Sequence, residues 1–92
     1  MTPITIEQFE TEAKADGYDE VLQRDWAPDT LVPDHTHPFD ASAVVVRGEM
    51  WLTCEGVTRH ITPGGTFALQ RDTLHSERYG SLGASFFVAR RN

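Results

Sequence analysis

The run His35-Thr36-His37-Pro38-Phe39-Asp40-Ala41, carried on into Val44-Val45-Val46-Arg47-Gly48, decides how this chain is read. Side chains alternate faces along a strand, so His35 and His37 point the same way and can grip one ion together. A third histidine, His75, closes a stretch that contains Pro63-Gly64-Gly65. Three imidazoles converging on one point make a metal site. His60, between Arg59 and Ile61 on a hairpin arm, has no such partners and reads as a surface residue of a strand.

Outward from this run, the texture is one of short β-branched and aromatic segments cut by turn signals. These signals are Ala27-Pro28-Asp29, Arg47-Gly48-Glu49, Glu55-Gly56, Pro63-Gly64-Gly65 and Tyr79-Gly80-Ser81-Leu82-Gly83. They predict strands over residues 20–26, 41–47, 50–54, 57–62, 66–69, 74–79 and 84–90. Such a series suits an antiparallel sandwich or small barrel. Before it, Thr5 with Gln8 three positions on forms a capping box, and Gly17 supplies a stop, which predicts a helix over 6–15.

Size and charge set limits. At 92 residues the chain holds one domain and buries only about two thirds of its unfolded surface. We expect residues 1–18 to form a helical segment packed on a single barrel domain spanning 19–92. Asp and Glu number 14 against 8 Lys and Arg, a formal charge of −6, which repels phosphate backbones and anionic lipid surfaces. Nucleic acid and membrane are therefore not expected partners. The N-terminus has neither a basic start nor a long apolar stretch, and the expected location is cytoplasmic. A single cysteine, Cys54, excludes an internal disulfide.

The spacing of the histidines resembles that of the cupins. Their first motif runs Gly, five residues, His-x-His, three or four residues, Glu, six residues, Gly. Here Asp29, His35, His37, Ala41 and Gly48 occupy those places. The second motif runs Gly, five residues, Pro-x-Gly, two residues, His, three residues, Asn, and Gly64, Gln70, Asp72, His75 and Tyr79 stand at its positions. The resemblance covers about residues 29–79. It implies an all-β fold, a double-stranded β-helix or jelly-roll barrel of the RmlC-like kind, with the short helix as an N-terminal addition. It also implies a divalent transition metal, Fe, Zn, Ni or Mn, held by His35, His37 and His75.

Where cupins place their liganding Glu, this chain has Ala41. Three neutral imidazoles leave a divalent ion its full charge and its open positions, which favours an anionic or bidentate ligand. Two carboxylates are candidates for the missing ligand. Asp40 comes one residue early and reaches the ion only if Pro38 bulges the strand. Glu77 follows His75 by two and shares its face on a regular strand.

Phe39 at the barrel mouth, Arg47, Met50 and Phe67 are the candidate ligand-binding residues. Arg47 shares the odd parity of the histidines, and a guanidinium there could hold a carboxylate. Cys54 ends the alternating set Met50, Leu52, Cys54 and is read as packing. Val44, Val46 and Trp51 fall on the outer face, an apolar patch that monomers rarely expose. A homodimer through that face is expected, with cover by the N-terminal helix as the alternative.

Three functions are compatible with these residues. One is a metal-dependent enzyme, a dioxygenase or isomerase acting on a small anionic molecule. Another is a non-catalytic small-molecule sensor, similar to the effector-binding barrels of arabinose-type transcription regulators. The third is a barrel whose histidines are vestigial.

Overall fold

The computed structural model describes residues 4–92. It opens with helix α1, Ile6–Ala15, whose N-terminus is closed as the sequence predicts. The Gln8 backbone N–H donates to Thr5 Oγ1 (3.1 Å), and the Thr5 N–H donates to Gln8 Oε1 (2.9 Å). At the other end Gly17 takes φ +94° and the Tyr18 N–H donates to the Ala13 carbonyl (3.1 Å), which ends the helix in the left-handed turn glycine permits. No helix among the described residues is long and apolar enough to cross a membrane.

Six antiparallel strands follow: β1 Glu20–Trp26, β2 Leu31–His35, β3 Asp40–Cys54, β4 Val57–Ile61, β5 Thr66–Leu69 and β6 His75–Arg91. β3 and β6 are long and pair with each other through both of their halves. The late half of β6 lies between β1 and the early half of β3, which β5 flanks. The early half of β6 lies between β2 and the late half of β3, which β4 flanks. Two four-membered faces, joined by the same two strands, enclose the core between them.

Seven strands are expected and six occur, because two predicted turns are bends, which leaves five, and one strand, β2, is added. Arg47-Gly48-Glu49 and residues 80–83 interrupt β3 and β6 without reversing them. Gly48 (φ +73°) sits against Gly83 (φ +70°), and a Cβ on Gly48 would overlap the Gly83 carbonyl oxygen. Here glycine serves a close crossing of two strands. The sequence reading also passes over β2 as a strand. Pro33 lies within it, and the strand is an edge that pairs only with β6, where a missing N–H is tolerated. Glu55 and Gly56 both take positive φ, the conformation of a tight hairpin between β3 and β4.

The interior is filled by Ala41, Ala43, Val45, Met50, Leu52, Ile61, Phe67, Tyr79, Phe86 and Val88. In β3 the inward parity is odd up to Val45 and even from Met50. The cause is the register shift between Val45 and Arg47, since one extra residue turns every later side chain to the other face. On the outer face, Phe9 and Ala13 of α1 lie one helical turn apart and bury Val44, Phe87 and Ala89, with Val46 packed at the edge. Phe9 and Phe87 meet ring to ring at 6.0 Å. The helix thus covers the patch at Val44 and Val46. Trp51 is half-buried, between the His60 ring (4.6 Å) and the Arg78 guanidinium (3.9 Å).

Candidate metal centre and ligand cavity

The β2–β6 ladder sets His35 directly opposite His75. His37 lies just beyond β2, where the Asp72 N–H donates to the His37 carbonyl (2.8 Å) and ties this loop to the one before β6. The three rings come together, with centroids 4.1 Å apart for His35 and His75, 4.7 Å for His35 and His37, and 5.2 Å for His37 and His75. One ring nitrogen from each lies within 4.8 Å of the others.

Hydrogen bonds at the far side of two rings fix which nitrogens face inward. His35 Nδ1 lies 2.7 Å from the Pro33 carbonyl and His75 Nδ1 lies 2.9 Å from that of Thr73. A carbonyl only accepts, so each Nδ1 carries the proton and each Nε2 keeps a bare lone pair. His75 is 2% exposed, and its Nε2 is buried with no hydrogen-bond partner. An acceptor stranded in this way costs free energy unless something neutralises it. These two lone pairs, with a ring nitrogen of His37 near them, are the donor set that a divalent transition ion would require. Burial, then the neighbouring His35 and His75, hold the His37 pKa below its ordinary value, which keeps that ring neutral as a ligand must be.

Of the two carboxylates considered for the missing ligand, only Glu77 is near. Its oxygens lie 3.8 Å from His35 Nε2 and 3.9 Å from His75 Nε2. Burial raises its pKa, partly offset by the two histidines and Arg24. Asp40 starts β3 opposite Arg91 with the outward parity, while its neighbour Ala41 points in. Its carboxylate accepts from the Arg71 backbone N–H (2.8 Å) and from Arg91 Nη2 (3.0 Å). Those bonds, led by the Arg71 backbone N–H, bring its pKa down to about 2.

The histidines open into a cavity of about 240 Å³ lined also by Phe39, Ala41, Phe67, Glu77, Arg24 and Arg90. Phe39 and Phe67, two of the four candidate ligand-binding residues, are among those lining residues. Arg47 and Met50 do not line it. Arg47 follows the register shift in β3, so its odd parity no longer points inward. It lies exposed, donating to Ser85 Oγ (3.2 Å) and the Leu82 carbonyl (3.0 Å). Met50 is sealed in the core with no exposed surface. His60 Nε2 donates to Glu49 Oε2 (3.1 Å) on the exterior, apart from the other histidines.

Sequence reasoning missed Arg24, Trp26 and Arg90. The signal for Arg24 and Trp26 is the alternation Leu22, Arg24, Trp26 on β1, and for Arg90 the alternation Phe86, Val88, Arg90 on β6, each of which places an arginine on the parity of core residues. Trp26 stacks on Tyr79 at 5.0 Å, and burial, then nearby Glu77, raise the Tyr79 pKa.

The fold is that of a small cupin, and comparisons with known proteins say the same. The family described as the AraC-like ligand binding domain matches residues 17–87, and the chain belongs to that family. No curated protein matches it. Among solved structures it is similar to a DMSP lyase chain (19% identity, TM-score 0.72), covering 78% of this chain and 37% of that one. It also resembles an RmlC-like cupin from Shewanella frigidimarina (18% identity, TM-score 0.68), with 78% of this chain and 65% of that one aligned. An oxalate oxidase in complex with glycolate aligns with 78% of this chain and 41% of its own (24% identity, TM-score 0.70). The chain therefore spans well under half of the DMSP lyase it matches, and these likenesses are likenesses of fold.

Proposed function

We infer that this chain is a metal-binding cupin in which Nε2 of His35 and of His75, with a nitrogen of His37, holds one divalent transition ion beneath a small-molecule cavity. The observation that carries this reading is the His75 Nε2 lone pair, buried, unpartnered and aligned with two other imidazoles. Iron, zinc, nickel or manganese held there supplies Lewis acidity and, for iron, redox capacity. The chain's own residues do the rest. Pro33 and Thr73 orient the rings, Phe39 and Phe67 exclude water from the ligand, and Ala41 leaves room where a fourth ligand would stand. Under this reading the ligand is a small anion, and the reaction is a dioxygenation or an isomerisation.

The test is the metal content of untagged protein purified without chelator, read by inductively coupled plasma mass spectrometry, beside His37→Ala and His75→Ala. About one equivalent in the wild type and none in either variant is the expected result. Metal-free protein that also refuses added metal would overturn the centre.

The family match favours a second reading, a sensor that binds its ligand without turnover. Ligand would then raise the melting temperature by mass action while being recovered unchanged.

A further inference from the structure

The chain carries a formal charge of −6, yet its cavity has the opposite sign. Arg24 and Arg90 line it against Glu77 as the single acid. Arg24 stands on the inward face of β1, opposite Phe86, with its guanidinium 5.0 Å from the centre of the Trp26 ring. It makes no ion pair among the described residues. Arg90 lies 4.4 Å from the Phe39 ring, and Phe39 stacks on His37 at 4.8 Å. Guanidinium, phenyl ring and imidazole thus form one column that ends at the candidate ion. Arg90 Nε is buried without a hydrogen-bond partner, and the one carboxylate on this side chain, Glu20, is exposed and 3.5 Å from Nη1.

A divalent ion on three neutral imidazoles adds further positive charge to the same mostly apolar space. Cations gathered in such a place are costly unless an anion neutralises them, and guanidinium groups match carboxylates in shape as well as charge. We propose that the cavity takes a small dicarboxylate, one carboxylate on the metal face of His35, His37 and His75 and the other against Arg90, with Arg24 balancing charge from farther along the β1–β6 ladder. The column through Phe39 sets the spacing between the two charged ends, and the 240 Å³ of space admits a molecule of only a few carbons. This rests on the metal-and-ligand reading above, and its test separates the two.

The experiment is calorimetric titration of zinc-loaded and metal-free protein with succinate, butyrate and succinamide, in the wild type, Arg90→Gln, Arg90→Lys and Arg24→Gln. Zinc content is measured in each, and melting temperature reports folding. In the zinc-loaded wild type, succinate binds at least about tenfold more tightly than butyrate. Arg90→Gln abolishes that preference with zinc content unchanged, Arg90→Lys recovers part of it, and Arg24→Gln reduces it. Equal affinity for succinate and butyrate, succinamide binding as tightly as succinate, or a preference indifferent to both arginines would overturn the proposal. Failure of zinc to bind defeats the metal centre alone. A preference for succinate that depends on Arg90 in metal-free protein then upholds the dicarboxylate site, and its absence there sinks it.

Discussion

His35 and His75 are opposed residues of the β2–β6 ladder, 4.1 Å apart ring to ring, and each gives its Nδ1 proton to the carbonyl two residues earlier in its own chain. The relationship is symmetric across the ladder, and it leaves both Nε2 atoms as acceptors before any ion arrives. Nitrogen-15 NMR of the metal-free protein should show Nδ1 protonated and Nε2 bare in both rings, with the Nε2 signals moving on addition of zinc. The opposite tautomer in either ring would contradict the arrangement.

Ala41 lines the cavity where related motifs carry a glutamate. Ala41→Glu should add a ligand to the ion and occupy space meant for an anion. We expect zinc to bind on the order of tenfold more tightly, and anionic ligands to bind on the order of tenfold more weakly. Equilibrium dialysis and calorimetry measure the two effects separately.

Asp40 clasps Arg71 and Arg91, joining the start of β3 to the end of β6 and to the loop before it. Its folded pKa of about 2 lies below the ordinary 3.8. The stabilisation is therefore complete above the ordinary value and disappears as pH falls through the folded one. Asp40→Asn should melt below wild type at neutral pH, and the gap should close between about pH 4 and pH 2. Melting curves across that window decide it.

Phe9 anchors α1 on Val44, Phe87 and Ala89. Truncation to alanine should cost about 3 kcal/mol by urea denaturation. It also uncovers Val44, so size-exclusion chromatography should show more self-association in Phe9→Ala than in wild type.

Gly48→Ala meets the Gly83 carbonyl and a positive φ at once. A loss of about 3 kcal/mol or more is expected. Gly56 also has a positive φ (+77°) but open space around it, and Gly56→Ala should cost only about 1 kcal/mol. Equal losses at the two sites would show that backbone conformation, rather than the crossing of strands, governs both.

Much of this molecule is legible before it folds. The capping box at Thr5 and Gln8, the strands at 20–26 and 66–69, and the spacing of three histidines depend on local chemistry that a sequence carries openly. Gly48 and Gly83 were misread because a glycine at a close strand crossing and one at a reversal look alike without the partner strand. Arg47 was misplaced for the same reason, since parity holds only until a bulge intervenes. Arg24 and Arg90 escaped notice because a charged residue on a strand defaults to solvent. Alternation hints at the inward parity, and the ladder then shows that β1 and late β6 carry both side chains to the cavity.

β3 and β6 run the full length of the barrel and remain hydrogen-bonded to each other on either side of their bends. Both faces are laced by the same two strands, so each face carries half of every long strand and neither can shift without the other's ladder. The cavity that Phe39 and the histidines line takes its walls from these same two strands and from β1, β2 and β5. Under the ligand-binding reading proposed above, selectivity would then be written into the walls of a frame whose two long strands are shared by both faces.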